Sequence, residues 1–339
     1  MSVSRAIFNK KRKRLRVRRI LLVCIALLLV VALVMGAVFL IKGLKQGRKP
    51  ADTDKPDPPA VEQEDPPAMD PVRVLPADFL TRNTKAPRIA LYDISAQTLL
   101  YVKNGDEVCA PASLTKLMTA IVAMETADLD TVITAGNELY LLDPESSRAG
   151  IYIGHKMTLK QALQGLLLKS GNDAAYVIAA QLGHTMDESL SGQAAIDLFC
   201  QRMTDKAKEL GCTSTTFLNP DGIDKAGHET TANDLLKISL HALSVPFIAE
   251  TVATDEVTTT FVSGQTKTWK NSNKLLQTDS GYAYMGACGM KTGTTDGAGN
   301  CLTSCATRDG RRILCILLGA DKDSTRYSET IELLNLGFF

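Results

Sequence analysis

Ile89-Ala90-Leu91-Tyr92-Asp93-Ile94 and Thr98-Leu99-Leu100-Tyr101-Val102 are two β-prone runs separated by the short turn-forming stretch Ser95-Ala96-Gln97. They read as a hairpin. Far downstream the same texture returns in residues 302–307 and 311–318, which flank Asp309-Gly310. Asp-Gly between apolar runs is a strong hairpin signal, because both residues accept the positive φ that a tight turn requires. Val257-Thr258-Thr259-Thr260-Phe261-Val262 adds another strand-like run. The chain between these ends has helical periodicity over 113–126, 158–169, 173–182, 191–210 and 231–242. Gly211 follows Leu210 as a stop, and Thr231 precedes Asp234 by three in capping-box order. A closing helix is expected over 324–335, with Gly337 as its stop signal. Strands at both ends with helices between predict an α+β domain: one antiparallel sheet built from both ends, with an inserted helical region.

Outward from that domain, charge divides the chain. The 339 residues carry a net charge of +1, yet residues 1–49 hold 13 of the 38 Lys and Arg and none of the 37 Asp and Glu. The remainder has 25 basic against 37 acidic residues, a net of −12, which leaves no basic surface for nucleic acid. Residues 20–41 contain no charge and would extend roughly 33 Å as a helix, enough to cross a bilayer core of about 30 Å. Nine basic residues precede this span, and Lys42, Lys45, Arg48 and Lys49 follow it. The bias places 1–19 as a cytoplasmic tail, 20–41 as a single transmembrane helix and the rest outside, at the cell membrane. A cleaved signal peptide is the rival, but the span is long for one and Gly36-Ala37-Val38 is a poor exit. Seven prolines and seven acids between Pro50 and Pro71 make 42–73 a stalk, too poor in apolar residues to repay ordering. The folded domain is then 74–339, with 45% hydrophobic residues in the whole chain to supply its core.

Three short motifs carry chemistry. In Pro111-Ala112-Ser113-Leu114-Thr115-Lys116, Ser113 and Lys116 are three apart at the start of a predicted helix and project from one face. A serine hydroxyl needs a base, and a lysine serves only if its pKa falls toward neutrality, a change worth about 4 kcal/mol. Desolvation and a second cation can supply it. Ser170-Gly171-Asn172 sits between two predicted helices as a tight polar corner. Lys291-Thr292-Gly293 lies just before the last strand pair, where it looks like a sheet edge beside a cleft and Gly293 would admit a substrate backbone. Lys291 would be the second cation. Taken singly, these are more often an accidental helix-start pair, a turn and a strand end. In this order they match the signature of penicillin-binding proteins and class A β-lactamases.

The segment 74–339 resembles the low-molecular-weight penicillin-binding proteins of the D-alanyl-D-alanine carboxypeptidase family, which have a β-lactamase/transpeptidase-like fold. The likeness extends through Leu168-Lys169-Ser170-Gly171-Asn172-Asp173-Ala174, Phe217-Leu218-Asn219-Pro220-Asp221-Gly222, Thr231-Ala232-Asn233-Asp234-Leu235 and Gly289-Met290-Lys291-Thr292-Gly293-Thr294-Thr295. The resemblance implies that Ser113 attacks the bond between two terminal D-alanines of a peptidoglycan stem peptide, with Lys116 as base. It implies that Ser170 relays a proton and that Asn172 holds the peptide amide and helps position Lys116. Lys291, Thr292, Gly293 and Thr294 would bind substrate, and the backbone N–H groups of Ser113 and Thr294 would form the oxyanion hole. It implies no metal and no cofactor, and β-lactams as covalent inhibitors.

Thr294 stands where several family members have His, and the C-terminal β-domain and amphipathic anchor of many relatives are expected to be absent. The N-terminal span would replace that anchor. A class A β-lactamase needs a deacylating Glu-x-x-Leu-Asn between the second and third motifs, and none is there. Glu332-Leu333-Leu334-Asn335 comes too late and reads as part of the last helix. A DD-endopeptidase and a non-catalytic wall-binding protein remain as alternatives. Of the eight cysteines, Cys24 falls in the span; the exterior seven, Cys109, Cys200, Cys212, Cys288, Cys301, Cys305 and Cys315, are expected as buried free thiols. His155, His184, His228 and His241 show no zinc-ligand spacing.

Overall fold

The computed structural model describes residues 84–339. The cytoplasmic tail, membrane span and stalk expected over 1–73 lie outside the described residues, as do residues 74–83 of the domain. Among the described residues no single helix is long and apolar enough to cross a membrane.

The chain opens with β1 (Arg88–Asp93) and β2 (Thr98–Lys103), followed by a 3-10 turn over Ala112–Leu114 and α1 (Thr115–Thr126). A small hairpin of β3 (Val132–Thr134) and β4 (Lys156–Thr158) precedes α2 (Leu159–Leu168), α3 (Asn172–Met186) and α4 (Gly192–Glu209). Next come α5 (Ala232–Ser244), α6 (Pro246–Ala253) and the hairpin β5 (Glu256–Thr260) with β6 (Thr266–Lys270). Three long strands, β7 (Ala287–Thr295), β8 (Gly299–Arg308) and β9 (Arg311–Ala320), lead into α7 (Asp323–Gly337). The main sheet is five-stranded and antiparallel, in the order β2-β1-β9-β8-β7, so both ends of the domain do contribute to it.

The local signals have identifiable partners. Thr158 caps α2 in a complete capping box: its side chain accepts from Gln161 N, and Gln161 Oε1 accepts from Thr158 N at 3.0 Å. Thr231 accepts from Asp234 N at 3.1 Å and starts α5. Asp309 and Gly310 have φ of 49° and 77°, the tight turn that joins β8 to β9.

Both faces of the sheet are covered, which explains why β9 is apolar along nearly its whole length. Ile313, Cys315 and Leu317 pack with Leu333 and Leu334 of α7, while Leu314, Ile316 and Leu318 alternate to the opposite face and join the large helical core. In that core, residues Thr115 to Ala123 of α1 are all buried, so α1 is a central helix that meets solvent only in its last turn. Burying such a helix fixes the position of whatever its first turn carries.

Three expectations are corrected. The run 257–262 contributes to β5, which pairs with β6 in a separate hairpin rather than joining the main sheet. Gly337 is the last residue of α7 rather than a left-handed stop beyond it; a Cβ there would lie 2.8 Å from Ile313 Cγ2, so the glycine lets the helix end close against β9. Cys288 and Cys305 are joined across β7 and β8, with Cα atoms 5.3 Å apart, whereas buried free thiols were expected. Among the described cysteines, Cys200, Cys212, Cys301 and Cys315 are buried and free, with burial pushing their thiols up to about 12, and Cys109 is free and half-buried.

Candidate active site

Ser113 lies in the 3-10 turn that feeds α1, and Lys116 lies in the first turn of that helix. Lys116 Nζ is 2.7 Å from Ser113 Oγ and 2.6 Å from the backbone carbonyl of Asp221. Thr119, three residues on, gives its hydroxyl to the Pro220 carbonyl at 2.7 Å. One face of α1 therefore grips two successive carbonyls of the Asn219-Pro220-Asp221-Gly222 turn. Asn219 closes this turn from within: its Oδ1 accepts from Gly222 N at 2.7 Å and its Nδ2 donates to Ile223 O at 2.8 Å.

Lys116 is fully buried, and desolvation lowers its pKa from 10.5 to about 8, against the opposing pull of Asp221 and Asp173. An uncharged amine has a lone pair. With one amine N–H given to the Asp221 carbonyl, that lone pair can face Ser113 Oγ and accept its hydroxyl proton.

Ser170 and Lys291 form a second pair. Lys291 Nζ donates to Ser170 Oγ at 2.8 Å and to Thr292 O at 2.9 Å. Lys291 is completely buried, and desolvation first, then the charges of Lys116 and Arg326, push its pKa well down. Ser170 has φ of 59°, outside the range most side chains favour, so the corner holds it in a strained backbone conformation. Asn172 opens α3, nearly buried, with its N–H on Ser147 O at 2.8 Å. Asp173 fixes the corner: its carboxylate accepts from Ala149 N, Gly150 N and Ile151 N at 2.8 to 2.9 Å.

Lys291, Thr292, Gly293 and Thr294 lie within β7, the edge strand, which comes immediately before the pair β8 and β9. The expectation of a sheet edge ahead of that pair holds. Gly293 has a use the sequence did not reveal: a Cβ there would stand 2.9 Å from Ala112 Cβ and 3.0 Å from Ser113 N. The close approach it permits is thus made by the nucleophile's own turn. Thr292 Oγ1 meets Ser272 Oγ at 2.8 Å. Arg326, reaching from α7, donates to Gly293 O at 3.0 Å and Thr294 Oγ1 at 2.9 Å.

Edge strand, buried amines, polar corner and serine turn thus come together: Gly293 of β7 packs on the Ser113 turn, Lys291 holds Ser170, and the charge of Lys116 bears on Lys291. Residues 78–322 match the D-alanyl-D-alanine carboxypeptidase family, peptidase S11. The chain belongs to that family.

A D-alanyl-D-alanine carboxypeptidase of a Streptomyces species is 33% identical over 250 residues, 71% of this chain and 83% of that protein. The carboxypeptidase DacF of Bacillus subtilis is 31% identical over 261 residues, 75% of this chain and 62% of its own length. The Streptomyces K15 DD-transpeptidase superposes with a TM-score of 0.69 at 31% identity, covering 75% of this chain and 97% of that one. Penicillin-binding protein D2 of Listeria monocytogenes, in its ampicillin-bound form, gives a TM-score of 0.61 at 29% identity, with 76% and 98% covered. This D-alanyl-D-alanine carboxypeptidase is a serine-type peptidase.

The arrangement includes groups that no motif spacing exposed. Arg326 comes from the last helix, the Asp221 carbonyl is a backbone atom, and Asp173 acts one residue beyond a motif. Asp224 spans to the β7–β8 turn, accepting from Thr295 Oγ1 and Gly297 N at 2.7 Å each. Among the described residues, no group of three or more His, Cys, Asp or Glu could hold a metal ion.

Proposed function

We propose that the enzyme removes the terminal D-alanine from peptidoglycan stem pentapeptides through an acyl-enzyme on Ser113. The observation that carries this is the contact of a buried, pKa-lowered Lys116 with Ser113 Oγ. Lys116 takes the hydroxyl proton as Ser113 Oγ bonds to the carbonyl carbon between the two D-alanines. Charge develops on the carbonyl oxygen, and the N–H groups of Ser113 and Thr294 are the proposed donors to it, each worth about 3 to 4 kcal/mol of barrier. The C–N bond then breaks: Ser170 gives its hydroxyl proton to the leaving amine and takes up in its place the proton that Lys116 accepted from Ser113, so D-alanine departs and Lys116 is uncharged again. Water attacks the ester, with Lys116 again as base, and frees Ser113 and the shortened stem.

Asn172 would hold the stem-peptide amide. Lys291, Thr292 and Thr294 would receive the terminal carboxylate, with Arg326 adding positive charge behind Thr294. A β-lactam would acylate Ser113 by the same route. The uncharged 20–41 span and its basic flank support anchoring at the cell membrane with the catalytic domain outside.

Fluorescent penicillin should label the wild type and leave Ser113→Ala unlabelled, and mass analysis should show a pentapeptide losing one D-alanine. Wild type that takes no label and leaves the pentapeptide intact would sink the reading. Cleavage of a cross-linked dimer with the pentapeptide untouched would replace it with an endopeptidase. Membrane fractionation of the full chain tests the anchor: release into the soluble fraction by carbonate wash would overturn it.

A further inference from the structure

A buried hydrogen-bond chain ends on the peptide bond that precedes the nucleophile. His228 is 3% exposed and lies edge-on to Phe217, with ring centroids 5.7 Å apart. Its Nδ1 faces the backbone N–H of Leu218 at 2.9 Å, so Nδ1 must accept. Burial lowers the ring's pKa to about 4, with nearby Lys225 and Lys116 lowering it further and Asp224 opposing, so near neutral pH the imidazole is uncharged. Its one proton is then on Nε2, 2.9 Å from Thr115 Oγ1. Thr115, having accepted that proton's hydrogen bond, turns its own hydroxyl to Ala112 O at 2.8 Å. Every donor in the chain has one assigned acceptor.

The Ala112 carbonyl belongs to the same rigid peptide unit as the Ser113 N–H. Ala112 has φ of 47°, a left-handed conformation unfavourable for an alanine, which surrounding contacts must maintain. Gly222 packs behind the carbonyl so closely that a Cβ would come 1.9 Å from Ala112 O. Thr115 thus grips one end of the peptide plane, the glycine wall blocks its retreat, and the N–H at the other end sits in the first turn, where amides have no intrahelical acceptor.

We propose that His228 is a positioning residue for acylation, acting through Thr115 to orient the Ala112–Ser113 peptide and aim the Ser113 N–H at the developing oxyanion. This rests on the reading that Ser113 N–H is an oxyanion donor. Thr115→Val keeps the side-chain shape and removes the hydroxyl; Thr115→Ser keeps the hydroxyl. His228→Asn keeps an acceptor for Leu218 N and removes the donor to Thr115.

Acylation by fluorescent penicillin and by a stem pentapeptide, normalised to titrated active sites, should fall about 10²-fold in Thr115→Val and His228→Asn. Thr115→Ser should retain most of the rate. Because the two side chains act in series, the double variant should be no slower than the worse single one. Affinity for uncleaved pentapeptide, measured in a Ser113→Ala background, should change by less than about twofold, while affinity for a boronic acid forming a tetrahedral adduct on Ser113 should fall with the rate.

Lowered thermal stability with an unchanged rate per active site would make the chain purely structural and overturn the proposal. So would multiplicative losses in the double variant, or a Thr115→Ser as slow as Thr115→Val. An unlabelled, inactive wild type would sink the underlying reading and this proposal together, whereas an active wild type with indifferent variants sinks this proposal alone.

Discussion

If Lys116 is the base that accepts the Ser113 proton, acylation must track the uncharged fraction of that one amine. Desolvation brings Lys116 from 10.5 to about 8, a difference corresponding to about 3 kcal/mol. At pH 7 a group of that pKa is uncharged in roughly one molecule in ten, against roughly three in ten thousand for an ordinary lysine, an advantage of about 300-fold. Stopped-flow acylation by fluorescent penicillin should therefore rise about tenfold per pH unit below pH 8 and level off above it. Asp221→Asn supplies a directional check. Its carboxylate favours the charged amine, so removing it should move the inflection to lower pH and raise the rate at pH 7, while the backbone carbonyl that holds Nζ remains. A rate flat from pH 6 to 9 in the wild type would refute Lys116 as the base. An inflection that moves upward in Asp221→Asn would refute the electrostatic account of its pKa.

Gly293→Ala introduces a Cβ against Ala112 Cβ and Ser113 N, so it should displace the serine turn, slow acylation about 10²-fold and cost about 1 to 3 kcal/mol in chemical denaturation. Asp173→Asn replaces an oxygen that faces backbone N–H groups with an N–H donor; limited proteolysis should open the 147–151 loop, with a stability loss of about 2 to 4 kcal/mol. His228 titrates at about 4 when folded and near 6.5 when unfolded, so the unfolded chain takes up the proton first as pH falls. Its stabilisation is complete above pH 6.5 and is lost on descending to about pH 4, roughly 3 kcal/mol in all. Urea midpoints for wild type and His228→Asn should therefore converge over that window; parallel curves would show that His228 does not carry the acid sensitivity.

How far the sequence could foretell this site depended on whether the deciding contact was local. Ser113 and Lys116 meet because a helical turn makes residues three apart neighbours, so their spacing sufficed. The cap at Thr231 and the Asp309-Gly310 turn were legible for the same reason: each signal and its partner lie within a few residues. Residues 257–262 had the right local preference but gave no indication of which strand they would pair with. Their threonines suit any half-exposed ladder, and pairing went to the adjacent Thr266–Lys270 instead of the distant sheet. Glycines misled in one consistent way. Gly337 was read as a stop and Gly293 as room for substrate, yet both make room for a neighbouring part of the chain, Ile313 in one case and the Ala112-Ser113 turn in the other. Arg326 carried no local signal, since its partners Gly293 and Thr294 lie 33 and 32 residues away. The Asp221 carbonyl could not have been found by choosing reactive side chains at all, because any residue at that position offers the same atom. Side-chain motifs identify which groups react; what sets their reactivity here is burial, together with backbone atoms placed by tertiary packing, and both lie beyond the reach of spacing rules.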